Sequence, residues 1–148
     1  DEAPVPTRLD VWWRGRPRNV AFMLAVACMV RRRSGRRADL RLCRIVEQEE
    51  DVGESRRELA SFLSQARVDA DVHVLVLQAE APFDRIVRES SDARYVFLGL
   101  RLPGGDEADD AYAAYYRQML AALDPLPTTV LAMAAESVDF QSIFSTEA

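Results

Sequence analysis

The stretch NVAFMLAVACMVRRR, residues 19–33, decides how the chain folds. Residues 20–30 form an uninterrupted apolar run, and three arginines follow it. A helix that crosses the hydrocarbon core of a bilayer needs about 20 apolar residues, so this run is too short to span. Asn19 is a suitable N-cap, and the arginines and Gly35 are typical of a helix C-terminus. Because this helix is apolar on every side, we expect burial on more than one side, between a sheet and another layer or subunit.

Strand-like segments flank this helix and recur along the chain. RLDVWW precedes it and is rich in β-branched and aromatic residues, and the alternating ADLRLCRIV follows it. DVHVLVL is a continuous apolar run of the kind that is buried inside parallel sheets. ARYVFLGL and TTVLAMA complete the set. These five segments predict strands over residues 8–13, 38–46, 71–77, 93–100 and 128–134.

Segments with helical periodicity separate these strands. Ser55 and Glu58 form a capping-box pattern, which predicts a helix that begins at Ser55 and ends near residue 67. A short helix over 82–90 and a long helix over 106–123 follow. In the short helix, the side chains expected to point inward are Phe83, Ile86 and Val87. This alternation predicts a doubly wound α/β fold with a mostly parallel five-stranded sheet.

Length and composition are typical of one globular domain. The chain has 148 residues, of which 49% are hydrophobic, and this excludes a disordered chain. Its two cysteines show no metal or disulfide spacing, which favours a reducing compartment. Since the chain does not begin with Met, we expect a piece of a longer protein. We divide it into a linker (1–7), an α/β domain (8–141) and a C-terminal tail (142–148).

Charge is distributed unevenly along the chain. Residues 1–45 hold 11 arginines and four acidic residues, a net charge of +7. Residues 46–148 hold eight arginines and 20 acidic residues, a net charge of −12, and the whole chain carries −5. All basic residues are arginine, which we interpret as codon bias. The basic leading segment is suited to anionic lipid, to nucleic acid or to the acidic part of this same fold.

Ligands of doubly wound folds bind in the crevice at the carboxyl ends of the strands. The loops expected to line it are 14–19, 47–55 and 102–106. They contain neither a dinucleotide-binding fingerprint nor a Walker A sequence, and the acidic residues after Gly105 would repel phosphate. A solvated turn at 15–19 is the favoured alternative to an anion site at a helix N-terminus. The candidate ligand-crevice residues are Gly15, Arg16, Asn19, Gly104 and Gly105.

Catalytic constellations are not evident in the sequence. His73 is the single histidine and lies in an apolar strand, which favours a core or half-exposed side chain over a catalytic base. The tyrosines of the long helix are interpreted as packing residues. We therefore predict no catalytic residue, no metal site and no cofactor. The arginine patch over 31–37 lacks a docking motif or interleaved aromatics, so no nucleic-acid partner is predicted.

The order of several motifs carries a family resemblance. The chain opens with LDVWW, continues with SRRELASFLSQARVDADVHVL and FDRIVRESSDARYVFLGLRLP, and closes with TTVLAMAAESVDFQSIFS. This series, over residues 8–145, resembles the C-terminal cytoplasmic domain of prokaryotic cation–chloride cotransporters, members of the amino acid–polyamine–organocation transporter superfamily. The resemblance is carried by the order of the whole set of motifs.

The resemblance implies a fold like that of universal stress proteins and a homodimeric regulatory role without catalysis. It implies a position on the cytoplasmic side of the cell membrane, attached to a transmembrane domain that this chain does not include. The chain departs from animal members because little separates Leu77 from Phe83, where those proteins carry a long insertion. It also lacks, after the fourth strand, the glycine-rich loop of nucleotide-binding stress proteins.

Three functions therefore remain open. The leading hypothesis is a regulatory and dimerisation domain of a cation–chloride cotransporter-like membrane protein. The alternative is a small-molecule sensor of universal-stress-protein type that binds an adenine nucleotide near Gly15 and Gly104. The third is a nucleic-acid binder that uses the arginines of 31–37, which predicts a steep loss of affinity with salt. The residues expected to face a second subunit or a membrane surface are Phe22, Val26, Met29, Arg31, Arg32 and Arg33.

Overall fold

The computed structural model describes residues 5–14, 17–34 and 38–134. Within them strands and helices alternate, and a 3-10 turn, Glu49–Asp51, precedes the second helix. The strands are β1 (Leu9–Trp12), β2 (Leu40–Val46), β3 (Asp71–Val76), β4 (Tyr95–Gly99) and β5 (Thr129–Ala132). The helices are α1 (Pro17–Arg33), α2 (Val52–Ala66), α3 (Pro82–Ser90) and α4 (Asp109–Leu123).

The five strands form one sheet in the order β3-β2-β1-β4-β5. Leu9 of β1 lies opposite Leu40 of β2 and Tyr95 of β4, so β1 joins the two halves of the sheet. All strand pairings are parallel. The doubly wound α/β fold predicted from the sequence is therefore confirmed, with a fully parallel sheet in the described residues.

Side chains of β1 alternate between the two faces of the sheet and divide the core into two clusters. Leu9 and Val11, together with Trp13 directly after the strand, pack with α1 and α2. Trp12, which is fully buried, packs on the other face with α3 and α4. The architecture is therefore three layers, with two helices on each side of the sheet. As predicted, the side chains of α3 that contact the core are Phe83, Ile86 and Val87.

Helix α1 begins earlier than predicted. It starts at Pro17, a residue that is tolerated in the first helical turn because its missing N–H has no helical partner there. Asn19 lies inside this turn, so its assignment as the N-cap was wrong. The side chains of α1 that are buried against the sheet are Val20, Ala21, Met23, Leu24 and Ala27.

The described residues cover the opposite side of α1 only in part. Phe22 and Val26 are half-buried, and Met29 is 58% exposed. Burial against the sheet agrees with the prediction. The second covering layer that we expected over α1 is not supplied by the described residues of one chain.

Helix α2 also begins before its predicted start. It starts at Val52, directly after the 3-10 turn, so Ser55 is a buried residue within the helix and not its N-cap. The acidic turn explains this, because negative side chains stabilise a helix N-terminus without a capping hydroxyl. The helix ends as predicted near residue 67. Arg67 has a φ of 53°, and its N–H donates to the carbonyl oxygens of Leu63 and Ser64.

In the described parts of the chain, no helix has the length and apolar character needed to cross a bilayer.

The predicted domain boundaries lie only partly within the described residues. Residues 5–7 of the predicted linker form neither helix nor strand. The end of the predicted domain (135–141), the tail (142–148) and residues 35–37 lie outside the described residues.

Candidate functional site

A cleft of about 1390 Å³ opens at the carboxyl ends of the strands. It lies where the strand order changes direction, between β1 and β4, because the chain leaves β1 toward β2 and later returns to add β4 on the other side. In open α/β sheets this position is the usual ligand site. Both strands contribute their ends, from Trp12 and Gly99 onward.

Four arginines line this cleft: Arg14, Arg18, Arg44 and Arg101. Two of them are neutralised by carboxylates. Arg44 donates to Glu58 at 2.6 Å and lies over the ring of Trp13 at 5.3 Å. Arg101 donates from both terminal nitrogens to Glu107, at 3.1 and 3.2 Å, and this hydrogen bonding raises the pKa of Arg101.

The other two arginines have no carboxylate partner among the described residues. Arg14 follows β1, and its guanidinium lies 4.5 Å from the ring centre of Phe83 in α3. Arg18 is exposed in the first turn of α1. Such guanidinium groups can bind a phosphate or carboxylate through paired hydrogen bonds.

The side chain of Asn19 connects two elements that line the cleft. Its side-chain amide donates to the carbonyl oxygen of Ala132 at 3.0 Å, and its side-chain oxygen accepts from the N–H of Ala134 at 3.0 Å. These bonds tie α1 to the end of β5 across β4. The crossing requires a glycine in β4, since a Cβ on Gly99 would lie 2.5 Å from the Asn19 amide nitrogen.

The aromatic residues of the cleft are largely occupied by other contacts. Trp13 is 5% exposed and packs edge-on against Phe62, while Trp12 donates from its indole nitrogen to Ser90. Tyr115 stacks with the guanidinium of Arg101, 4.2 Å from its ring centre. The interpretation of the α4 tyrosines as packing residues is consistent with these contacts.

The predicted ligand-crevice residues divide into two groups. Asn19, Gly104 and Gly105 all line the cleft. Gly15 and Arg16 lie outside the described residues. Sequence reasoning identified the loop 14–19 but did not single out Arg44 or Arg101. The signal that could have found them is their place on β2 and just after β4, toward the carboxyl ends of those strands.

The predicted interface and membrane-facing residues lie elsewhere. Arg31, Arg32 and Arg33 end α1 at the amino edge of the sheet, opposite the cleft. Arg31 donates to the backbone oxygen of Asp69 at 2.8 Å. Arg32 and Arg33 are exposed. Phe22, Val26 and Met29 lie along the same helix, between this edge and the cleft.

A buried ionic cluster occupies the α3 face near the amino edge. Asp10 is fully buried and accepts hydrogen bonds from Arg8, Arg41 and Ser90, the last at 2.7 Å. Arg8 also donates to Asp92 at 2.6 Å, and this contact lowers the pKa of the Asp92 carboxyl. Since Asp10 is enclosed by paired cations, the cluster fits a structural role.

The other titratable side chains of the described residues do not come together in an arrangement typical of a catalytic or metal site. His73 is half-buried and lies 3.5 Å from a carboxylate oxygen of Glu89. Burial raises the pKa of the Cys28 and Cys43 thiols, which disfavours the reactive thiolate. Across the described ranges no group of three or more metal-ligating side chains comes together.

Comparison with known proteins identifies the fold. No family model matches the chain, and no curated protein matches it in sequence. A universal stress protein from Archaeoglobus fulgidus in complex with dAMP superposes with a TM-score of 0.60 at 17% identity, over 86% of this chain and 98% of that chain.

Two further universal stress proteins give similar results. One, in complex with cAMP, superposes with a TM-score of 0.57 at 14% identity, over 89% of this chain and 100% of that chain. One from Burkholderia pseudomallei superposes with a TM-score of 0.56 at 11% identity, over 90% of this chain and 100% of that chain. The chain therefore has the universal stress protein fold.

Proposed function

We propose that this chain is a non-catalytic sensor domain whose cleft binds an adenine nucleotide. The observation that carries the proposal is the placement of Arg14 and Arg18 in a large cleft at the ligand-binding position of the fold, where these two guanidinium groups have no carboxylate partner among the described residues. Two structures with the same fold are described as complexes with dAMP and cAMP, which supports this choice of ligand.

Isothermal titration calorimetry with AMP, cAMP, ADP and ATP tests this proposal. We expect saturable binding of at least one nucleotide, and a loss of about tenfold or more in affinity in Arg14→Gln and Arg18→Gln, since each variant removes a charged hydrogen-bond donor. Arg33→Gln is the matched control because Arg33 lies at the far end of α1. Absence of binding by all four nucleotides would contradict the proposal.

A second candidate is a cytoplasmic regulatory domain of a cation–chloride cotransporter-like membrane protein. What suggests it is the order of the sequence motifs, from LDVWW to TTVLAMAAESVDFQSIFS. The two functions are compatible, since a transporter domain can respond to a nucleotide. The sequence of the complete gene product tests this candidate: about a dozen hydrophobic spans before residue 1 would support it, and their absence would contradict it.

Contact with a membrane surface belongs to the same candidate. Arg32 and Arg33 are exposed at the end of α1, where an anionic bilayer would stabilise each by about 1 kcal/mol. Vesicles that contain phosphatidylserine should therefore bind the protein at low salt, and the double variant Arg32→Gln/Arg33→Gln should bind less. Equal binding to neutral vesicles would argue against this contact.

A further inference from the structure

We infer that the cleft selects nucleotides with a single phosphate group and rejects nucleoside di- and triphosphates. This inference rests on the proposed nucleotide function and specifies its ligand. It follows from the balance of charge among the side chains that line and adjoin the cleft.

Among the described residues of the cleft, most of the positive charge is neutralised by carboxylates before any ligand binds. Four guanidinium groups line it, while Glu47 lines the same cleft and Glu58 and Glu107 are hydrogen bonded to two of the four. Among the described residues, four positive charges are thus set against three negative ones. Arg14 and Arg18 are the two arginines without a carboxylate partner in the described residues, so they are the ones available to a ligand.

A single phosphate group matches these two available guanidinium groups. A phosphate monoester carries about two negative charges at neutral pH, and two guanidinium groups can hydrogen bond to its oxygens. Each additional phosphate group brings further negative charge, and the described lining residues include no third arginine without a carboxylate partner to receive it. Repulsion between like charges in a cleft of lowered dielectric constant then opposes binding.

The loop after β4 adds to this repulsion. Gly104 and Gly105 line the cleft, but Asp106 and Glu107 follow them directly, and Asp109 and Asp110 begin α4. A longer phosphate chain that extended toward this loop would meet carboxylates.

Arg101 cannot easily offset these charges. Its two terminal nitrogens are both engaged by Glu107, and its guanidinium is stacked on Tyr115. Binding of a second phosphate group by Arg101 requires the loss of that bidentate pair.

Calorimetric titration of AMP, ADP and ATP, with EDTA present so that no Mg²⁺ masks the phosphates, tests the inference. We expect AMP to bind and ATP to bind at least about tenfold more weakly, as expected for uncompensated like charges. In Glu107→Gln, Arg101 gains free donors, so the ratio of AMP to ATP affinity should fall. Asp124→Asn, with the same change in charge at the far end of α4, should keep the wild-type ratio.

The outcomes separate the two proposals. ATP that binds as tightly as AMP, or an affinity ratio that Glu107→Gln leaves unchanged, would overturn the selectivity while nucleotide binding stands. If none of the three nucleotides binds, the inference fails, and if cAMP does not bind either, the proposed function fails with it.

Discussion

Asp10 shows how a charged residue can stabilise the interior of this fold. It lies in β1 with no exposed surface, yet its two oxygens accept hydrogen bonds from Arg8, Arg41 and Ser90. These hydrogen bonds satisfy the Asp10 carboxylate, whose burial without partners would cost considerable free energy. This arrangement also ties the starts of β1 and β2 to the end of α3.

Removal of the Asp10 charge should therefore destabilise the protein strongly. In Asp10→Asn two guanidinium groups lose their buried partner, and we expect a loss of about 3 kcal/mol in the free energy of unfolding. Glu58→Gln breaks the more exposed pair with Arg44 and should cost less than about 1 kcal/mol. Urea denaturation measures both, and equal effects would contradict a structural role for the Asp10 cluster.

Gly99 is required because a side chain at this position would collide with the side chain of Asn19. A methyl group there would displace the Asn19 amide, which then loses its hydrogen bonds to Ala132 and Ala134. We expect Gly99→Ala to lower the free energy of unfolding by about 1–3 kcal/mol. Gly105→Ala is the control, because no atom lies within 4 Å of the added Cβ, and it should change stability by less than about 0.5 kcal/mol. Two variants of equal stability would refute this role of Asn19.

Individual residues were the hardest features to predict from the sequence. Asn19 was expected to cap α1 because its residue type favours N-caps, but its side chain instead joins α1 to β5, more than 100 residues away in sequence. Arg44 and Arg101 were missed because cleft lining depends on where strands end in space. Contacts between residues that are far apart in sequence leave no local sequence pattern from which they could be predicted.

Helix α1 is asymmetric although its sequence is apolar all around. Leu24 is fully buried against the sheet, whereas Met29 is 58% exposed. Leu24→Ala should lower the free energy of unfolding by about 2–5 kcal/mol, because it removes core contacts and leaves a cavity. Met29→Ala should change it by less than about 0.5 kcal/mol. Chemical denaturation distinguishes the two, and the reverse order would mean that the opposite side of α1 faces the sheet.

At the scale of elements, the sequence predicted which segments form helices and strands, and it was less successful with their starts. The capping-box pattern of Ser55 and Glu58 was misleading because acidic residues further upstream extend α2 to Val52. The predicted start of α4 was three residues too early, at 106 instead of Asp109. Periodic burial identifies helices, whereas their ends depend on competing local contacts.

At the scale of the whole molecule, the partly covered side of α1 is suited to self-association. Val26 and Met29 lie on it, and a second copy of the chain packed there would cover the Met29 side chain, which is exposed among the described residues. Sedimentation velocity should detect a dimer that Met29→Glu weakens, because the substitution places a charge in an apolar contact. Arg33→Gln, at the end of the same helix, is the control and should not weaken it. A wild-type protein that remains monomeric at high concentration would contradict this prediction.

The overall architecture was predicted correctly because it depends on patterns repeated along the whole chain. The continuous apolar run at 71–77 indicated a strand of a parallel sheet, and the alternation of strands with helices required crossovers on both faces. The position of the cleft then follows from the topology. The charge balance inside the cleft does not, because it depends on which carboxylates reach Arg44 and Arg101.

Mapping of AMP binding by nuclear magnetic resonance tests the central claim most directly. In ¹⁵N-labelled protein, saturating AMP should shift the backbone signals of Gly99, Gly104 and Gly105 and the side-chain amide of Asn19, all of which line the cleft. The backbone signals of Arg31 and Asp69, at the opposite edge, should remain in place. Shifts confined to that edge, or a spectrum that AMP leaves unchanged, would contradict a nucleotide site between β1 and β4.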